Sequence, residues 1–163
     1  MARAIDVAQF IFAEYKAISG KIIDEMKLHK LLYLSQRESI SITNKPMFED
    51  YFEGWKYGPV CKVVRNSFSE NGIVADDIQD LSNEDRFIVK NVILQYGAYE
   101  SWKLSELSHK EFSWKNARKG LSDTCNGNKR LKLDDIRKDA EKVRPYDSVW
   151  DMYYDEFDNV GEI

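Results

Sequence analysis

The sequence predicts a mainly α fold, a single compact helical domain with one small β-hairpin. Three observations carry this prediction. Apolar residues recur at i, i+3 and i+4 along most of the chain, the period of a helix with one buried face. The exception is one aromatic segment between turn residues, Met47 to Tyr57. The 163 residues are 43% hydrophobic and 32% charged, an ordinary globular composition that can bury a core without a disulfide or metal staple. Disordered, collagen-like and coiled-coil classes are excluded on the same figures.

The first apolar stripe runs through Val7, Phe10, Ile11, Tyr15 and Ile18, with Asp6 as a candidate cap and Gly20 at the C-terminal stop. A second helix is expected from Asp24, a good N-cap with Glu25 in the positive first turn. Leu28, Leu31, Leu32 and Ser35 form its inner stripe, which places Lys27, Lys30 and Arg37 outward. Thr43 to Pro46 has turn chemistry. Phe48, Tyr51, Phe52, Trp55 and Tyr57 then suggest a hairpin with Gly54 as a candidate bulge. Gly58-Pro59 is expected to end that hairpin, Pro59 opening a third helix at N1 through Val63, Val64 and Phe68. Asn71-Gly72 reads as a plain turn and Asn83 to Tyr96 as a helix. Two short helical pieces follow around Ser105–His109 and Ser113–Arg118, then a polar loop over residues 122–130. The last helix of the domain spans Leu133 to Val143, with Asp134 and Asp135 in its first turn and a basic last turn.

Charge is distributed unevenly. The whole chain carries a formal charge of −4, which argues against general nucleic-acid binding. Residues 110–144 nevertheless hold 11 Lys or Arg against 6 Asp or Glu, whereas residues 145–163 hold 6 acidic groups and no basic one. These figures divide the chain into a domain, 1–144, and an acidic aromatic tail, 145–163, read as a helix. Trp150, Tyr153, Tyr154 and Phe157 make its apolar stripe, which can dock on the basic segment or in a groove of a basic partner. No apolar run approaches the roughly 20 residues that cross a bilayer, and MARAIDVAQF is unlike a secretory signal. A soluble cytoplasmic protein without a membrane partner is expected. Cys61 and Cys125 lack CxxC spacing and read as unpaired thiols of a reducing compartment.

Catalytic signatures are missing: no phosphate-cradling glycine loop, HExxH, GxSxG or paired CxxC occurs. His29 and His109 lack neighbours at metal-ligand spacing, so neither a metal nor a cofactor is expected. The enzyme alternative would be a small hydrolase using His109 as general acid/base, with Tyr57 or Glu53 beside it. A third alternative is a DNA-binding autoregulator acting through residues 110–144, although no recognition helix stands out.

Two segments stand apart from ordinary filler. Glu53 to Val60 (EGWKYGPV) combines two aromatics, a cation and a rigid Gly-Pro corner. Trp55 and Tyr57 suit a contact surface with a polar tip, and equally suit a core beside the hairpin; Tyr57 is expected partly exposed and Trp55 largely buried. The second is LSELSH at 104–109, followed by Trp114, Ala117 and Arg118.

KLHKLLY at 27–33, WKYGPV at 55–60 and LSELSH at 104–109 with Trp114 resemble, in order and spacing, the Panacea-domain or SocA-like antitoxins, which include phage-associated GepA-type proteins. The resemblance covers about residues 5–140. Asp24 stands where these proteins often have a capping Thr, and Ser113 where a Pro often precedes the Trp; both are competent N-caps. The resemblance implies a bacterial or phage toxin–antitoxin role without catalysis, the partner being a toxin encoded by an adjacent gene. In some relatives the antitoxin presents its toxin to a protease. The residues expected to meet the partner are Trp55, Lys56, Tyr57, Gly58, Pro59, His109, Trp150 and Tyr154.

Overall fold

The computed structural model describes residues 1–143. The predicted tail helix, with Trp150 and Tyr154, lies outside the described residues. The elements are α1 (Ala4–Ser19), α2 (Glu25–Thr43), β1 (Glu53–Trp55), β2 (Gly58–Val60), α3 (Lys62–Ser67), β3 (Phe68–Ser69), β4 (Gly72–Ile73), α4 (Asn83–Tyr96), α5 (Ser101–Ser108), α6 (Phe112–Ala117) and α7 (Leu133–Glu141). The fold is mainly α, as predicted, with two small antiparallel strand pairs. No described helix is long and apolar enough to cross a membrane.

Asp24 caps α2 by accepting from the Lys27 amide at 2.8 Å, and the helix then runs through the middle of the domain. It packs against α1, α4, α5, α7 and β2, so it has no outward face. Lys27, Lys30 and Arg37, expected outward, are therefore buried. Two of these cations have partners matched to them. Lys27 Nζ donates to the Tyr15 hydroxyl at 3.1 Å and the Gly97 carbonyl at 2.9 Å, and Arg37 pairs with Glu111. Around this axis the core gathers Ile11, Leu28, Leu31, Leu32, Phe48 and Ile88. Tyr33 meets Phe52 edge-on at 5.5 Å within it.

Several local expectations change. Asp6 is the N3 residue of α1, with Arg3 at the N-cap, and accepts from the Arg3 amide at 3.3 Å in a capping box. Its buried carboxylate accepts from Arg3 Nε and from the Gln79 amide, both at 2.8 Å. Pro59 does not open a helix: it sits in β2 opposite Gly54, and α3 starts only after Cys61. Proline lacks an N–H but meets strand geometry without cost at a site where no ladder bond is asked of it. Asn71-Gly72 is more than a turn, since it joins β3 to β4 in a second hairpin.

Gly54 is no bulge either, because β1 and β2 pair in regular register. A Cβ there would stand 3.1 Å from the Ala117 Cβ of α6, so glycine lets the hairpin lie against that helix. The polar loop runs along the other edge of β1, where the Gly54 amide donates to Lys129 O and the Leu131 amide to Phe52 O. Ser113 does not cap α6. Asp139 of α7 takes the Phe112 and Ser113 amides at 2.7 and 2.9 Å, and Ser113 Oγ bonds the Tyr33 hydroxyl instead.

Candidate functional site

A two-stranded hairpin of this length is marginal alone, and the carbonyls of its turn need partners. Here α5, α6 and the residue after α6 supply them one by one. Arg118 Nη1 donates to Gly54 O at 3.0 Å, Trp114 Nε1 to Trp55 O at 2.8 Å and Ser105 Oγ to Tyr57 O at 2.5 Å. The carbonyl between them, that of Lys56, lies beside the His109 imidazole. Three carbonyls of the hairpin, 54, 55 and 57, are thus held by three side chains that follow one another in the opposite direction. Trp114 is itself fixed by stacking on His109 at 4.1 Å and by the Arg118 guanidinium at 5.3 Å.

Gly58 completes the corner. Its φ of 127° suits glycine, and a Cβ there would lie 2.5 Å from both Lys30 Cε and Ser108 Oγ. The KLHKLLY helix, the WKYGPV hairpin and the LSELSH helix therefore meet at one point. Outside that point the corner presents Tyr57, 54% exposed, with the Lys56 ammonium 5.1 Å from its ring centre. Trp55 is half-buried. Its indole N–H donates to Glu53 at 2.8 Å, and the Arg65 guanidinium lies 4.8 Å from its ring centre.

Between α2 and the hairpin lies a cleft of about 380 Å³ lined by Glu25, Met26, His29, Lys30, Trp55 and Tyr57, with Lys56, Val60, Arg65, Thr124 and Asn126 around them. Burial holds the Lys30 ammonium down to about 8. His29 is also driven below its ordinary value by burial.

Of the residues expected to meet a partner, Trp55, Lys56, Tyr57, Gly58, Pro59 and His109 come together in this corner; Gly58 and Pro59 are buried in it. His109 stacks on Trp114, and burial lowers its pKa. No hydrogen bond joins it to Tyr57 or Glu53 side chains among the described residues, and Glu53 is engaged by Trp55. The basic segment spends several cations on the chain itself: Arg118 on backbone carbonyls, Arg130 over the Tyr51 ring, Arg137 on Asn44 and Lys138 over Phe112. No group of His, Cys, Asp and Glu among the described residues could hold a metal ion. Sequence reasoning missed the clamping roles of Ser105, Trp114 and Arg118 and the cleft residues His29 and Lys30. The spacing 105, 109, 114, 118, close to a helical repeat, was the available signal for the clamp.

The family model described as "Antitoxin SocA-like, Panacea domain" matches residues 28–115, the stretch from α2 through α6 that builds this corner. The chain is also 40% identical over 50 residues to a protein named Antitoxin SocA from Caulobacter vibrioides (strain NA1000 / CB15N). That alignment takes in 31% of this chain and 27% of the relative, so the chain spans about a quarter of the relative's length. No solved structure matches.

Proposed function

This chain belongs to the SocA-like antitoxin family with its Panacea domain, and we propose that it neutralises a cognate toxin, encoded by an adjacent gene, by direct protein–protein binding. The observation that carries the reading is the clamped corner: the carbonyls of residues 54, 55 and 57 held from behind while Tyr57 and Lys56 face outward. Fixing a loop before it meets its partner removes the ordering cost that otherwise weakens an interface. Tyrosine at the tip adds contact area with few rotatable bonds, the usual character of an interface anchor. In this reading Tyr57 and Lys56 touch the toxin. Gly58, Pro59 and His109 hold them in place, and the protein turns over no substrate.

Expression of the neighbouring gene alone is expected to arrest growth, and co-expression of this chain to relieve the arrest through a complex that co-purifies. A harmless neighbour, or rescue without a complex, would overturn the reading. The half-life of the toxin with and without this chain separates masking from presentation to a protease.

A further inference from the structure

The cleft beside the corner contains two donors and too few acceptors. His29 Nδ1 accepts from the Cys61 amide at 3.3 Å, so the neutral ring carries its proton on Nε2. That buried N–H has no hydrogen-bond partner among the described residues; the closest carboxylate oxygen, Glu25 Oε1, stands 3.8 Å away, beyond hydrogen-bond reach. Lys30 follows it on α2, 2% exposed, and its ammonium makes no hydrogen bond or ion pair with any described residue, the Asp24 charge acting on it only at a distance. The other cations at the cleft are engaged: Arg65 with Glu25 and the Trp55 ring, Lys56 with the Tyr57 ring. Buried donors in folded proteins are rarely left unpaired, and His29 Nε2–H is one such donor.

From this juxtaposition we infer that the cleft is a binding site for a carboxylate carried on an apolar or aromatic group, with Lys30 Nζ and His29 Nε2–H donating to its oxygens. A carboxylate is an acceptor without donors, which matches the two unpaired donors, His29 Nε2–H and Lys30 Nζ. One unpaired ammonium balances a single negative charge, and Glu25 at the rim disfavours a dianion such as phosphate. Met26, Val60, Trp55 and Tyr57 provide the apolar walls, and about 380 Å³ accommodates a phenyl ring with a short acid arm. Such a group can be an acidic residue beside an apolar one on a protein partner, or a free small acid. The site does not depend on the antitoxin reading.

Titration of the full chain with 3-phenylpropionate and with its neutral amide, 3-phenylpropanamide, tests the site. The acid is expected to bind at least about tenfold more tightly than the amide, and Lys30→Met to erase that preference. Equal binding of the two, no measurable binding of either, or a preference that survives Lys30→Met would overturn the inference. If Lys30→Met fails to fold, the wild-type chain decides: one lysine side-chain NMR signal must shift with the acid and not with the amide, and its failure to shift refutes the site. With a captured toxin on the chain, displacement by the acid assigns the natural carboxylate to the partner, and acid binding without displacement assigns it to a small molecule; either result supports the site.

Discussion

Replacing Gly58 with alanine probes the point where three sequence motifs meet. The new Cβ would lie 2.5 Å from Lys30 Cε and Ser108 Oγ and 2.9 Å from Lys30 Nζ, so both side chains would have to shift. A φ of 127° on a side chain other than glycine adds backbone strain of about 1–3 kcal/mol. Overpacking contributes about 1–3 kcal/mol more. The sum, about 2–6 kcal/mol, is a large share of the roughly 5–15 kcal/mol that holds an ordinary domain together. At roughly 2–4 °C per kcal/mol for a chain of this size, the melting temperature is expected to fall by roughly 4–24 °C. Circular-dichroism melts measure this directly. In a double-mutant cycle with Lys30→Ala, the two changes together are expected to cost less than their sum by about 1 kcal/mol or more, because the truncated lysine no longer meets the new methyl group. A Gly58→Ala variant that melts within about 2 °C of the wild type, or a cycle that closes additively, would refute the description of the corner.

Other predictions follow from the same geometry. Asp139→Ala removes the acceptor for the first amides of α6 and for the Tyr33 hydroxyl; a loss of about 2–4 kcal/mol in denaturant unfolding is expected, and a loss under about 0.5 kcal/mol would contradict the capping role. The Arg3 guanidinium beside Asp6 holds its carboxyl below the ordinary carboxylate value. The stability it adds is therefore present at neutral pH and is lost as pH falls through the carboxylate range, so Asp6→Asn should flatten the acid limb of the stability profile, and an unchanged limb would count against the pair. Cys125 is exposed, whereas Cys61 is buried with its thiol pushed up to about 11. A thiol reagent at neutral pH is expected to modify Cys125 quickly and Cys61 only on unfolding, and two equally fast thiols would contradict that placement.

Much of the fold was legible in the sequence wherever local chemistry decides. The helix predicted at Asn83 to Tyr96 is α4, because Ser82 caps it and its apolar period is uninterrupted. The start of α2 followed from Asp24 for the same reason. What could not be read was the position of α2 in the centre of the molecule. A helix packed on all sides has no outward face, so the amphipathic rule misplaced Lys27, Lys30 and Arg37. Pro59 was ambiguous because its fixed φ serves a helix start and a strand alike, and the contacts that choose the strand come from β1, a separate element. The corner residues 55–59 and His109 were recognised as unusual, but their connection was not legible. Side chains at 105, 114 and 118 reach backbone carbonyls about fifty to sixty residues away, and carbonyls leave no trace in a sequence.

The central claim is that the outward face of the clamped corner binds the toxin, and the affinity of the Tyr57→Ala variant for the purified product of the adjacent gene tests it most directly. Tyr57 is 54% exposed and its backbone, held by Ser105, stays in place when the ring is removed, so the melting temperature should remain within about 2 °C of the wild type. Calorimetric titration is expected to show binding weakened by about 2 kcal/mol or more, roughly thirtyfold in Kd. A folded Tyr57→Ala variant that binds the toxin as tightly as the wild type would contradict the claim and move the interface elsewhere on the domain.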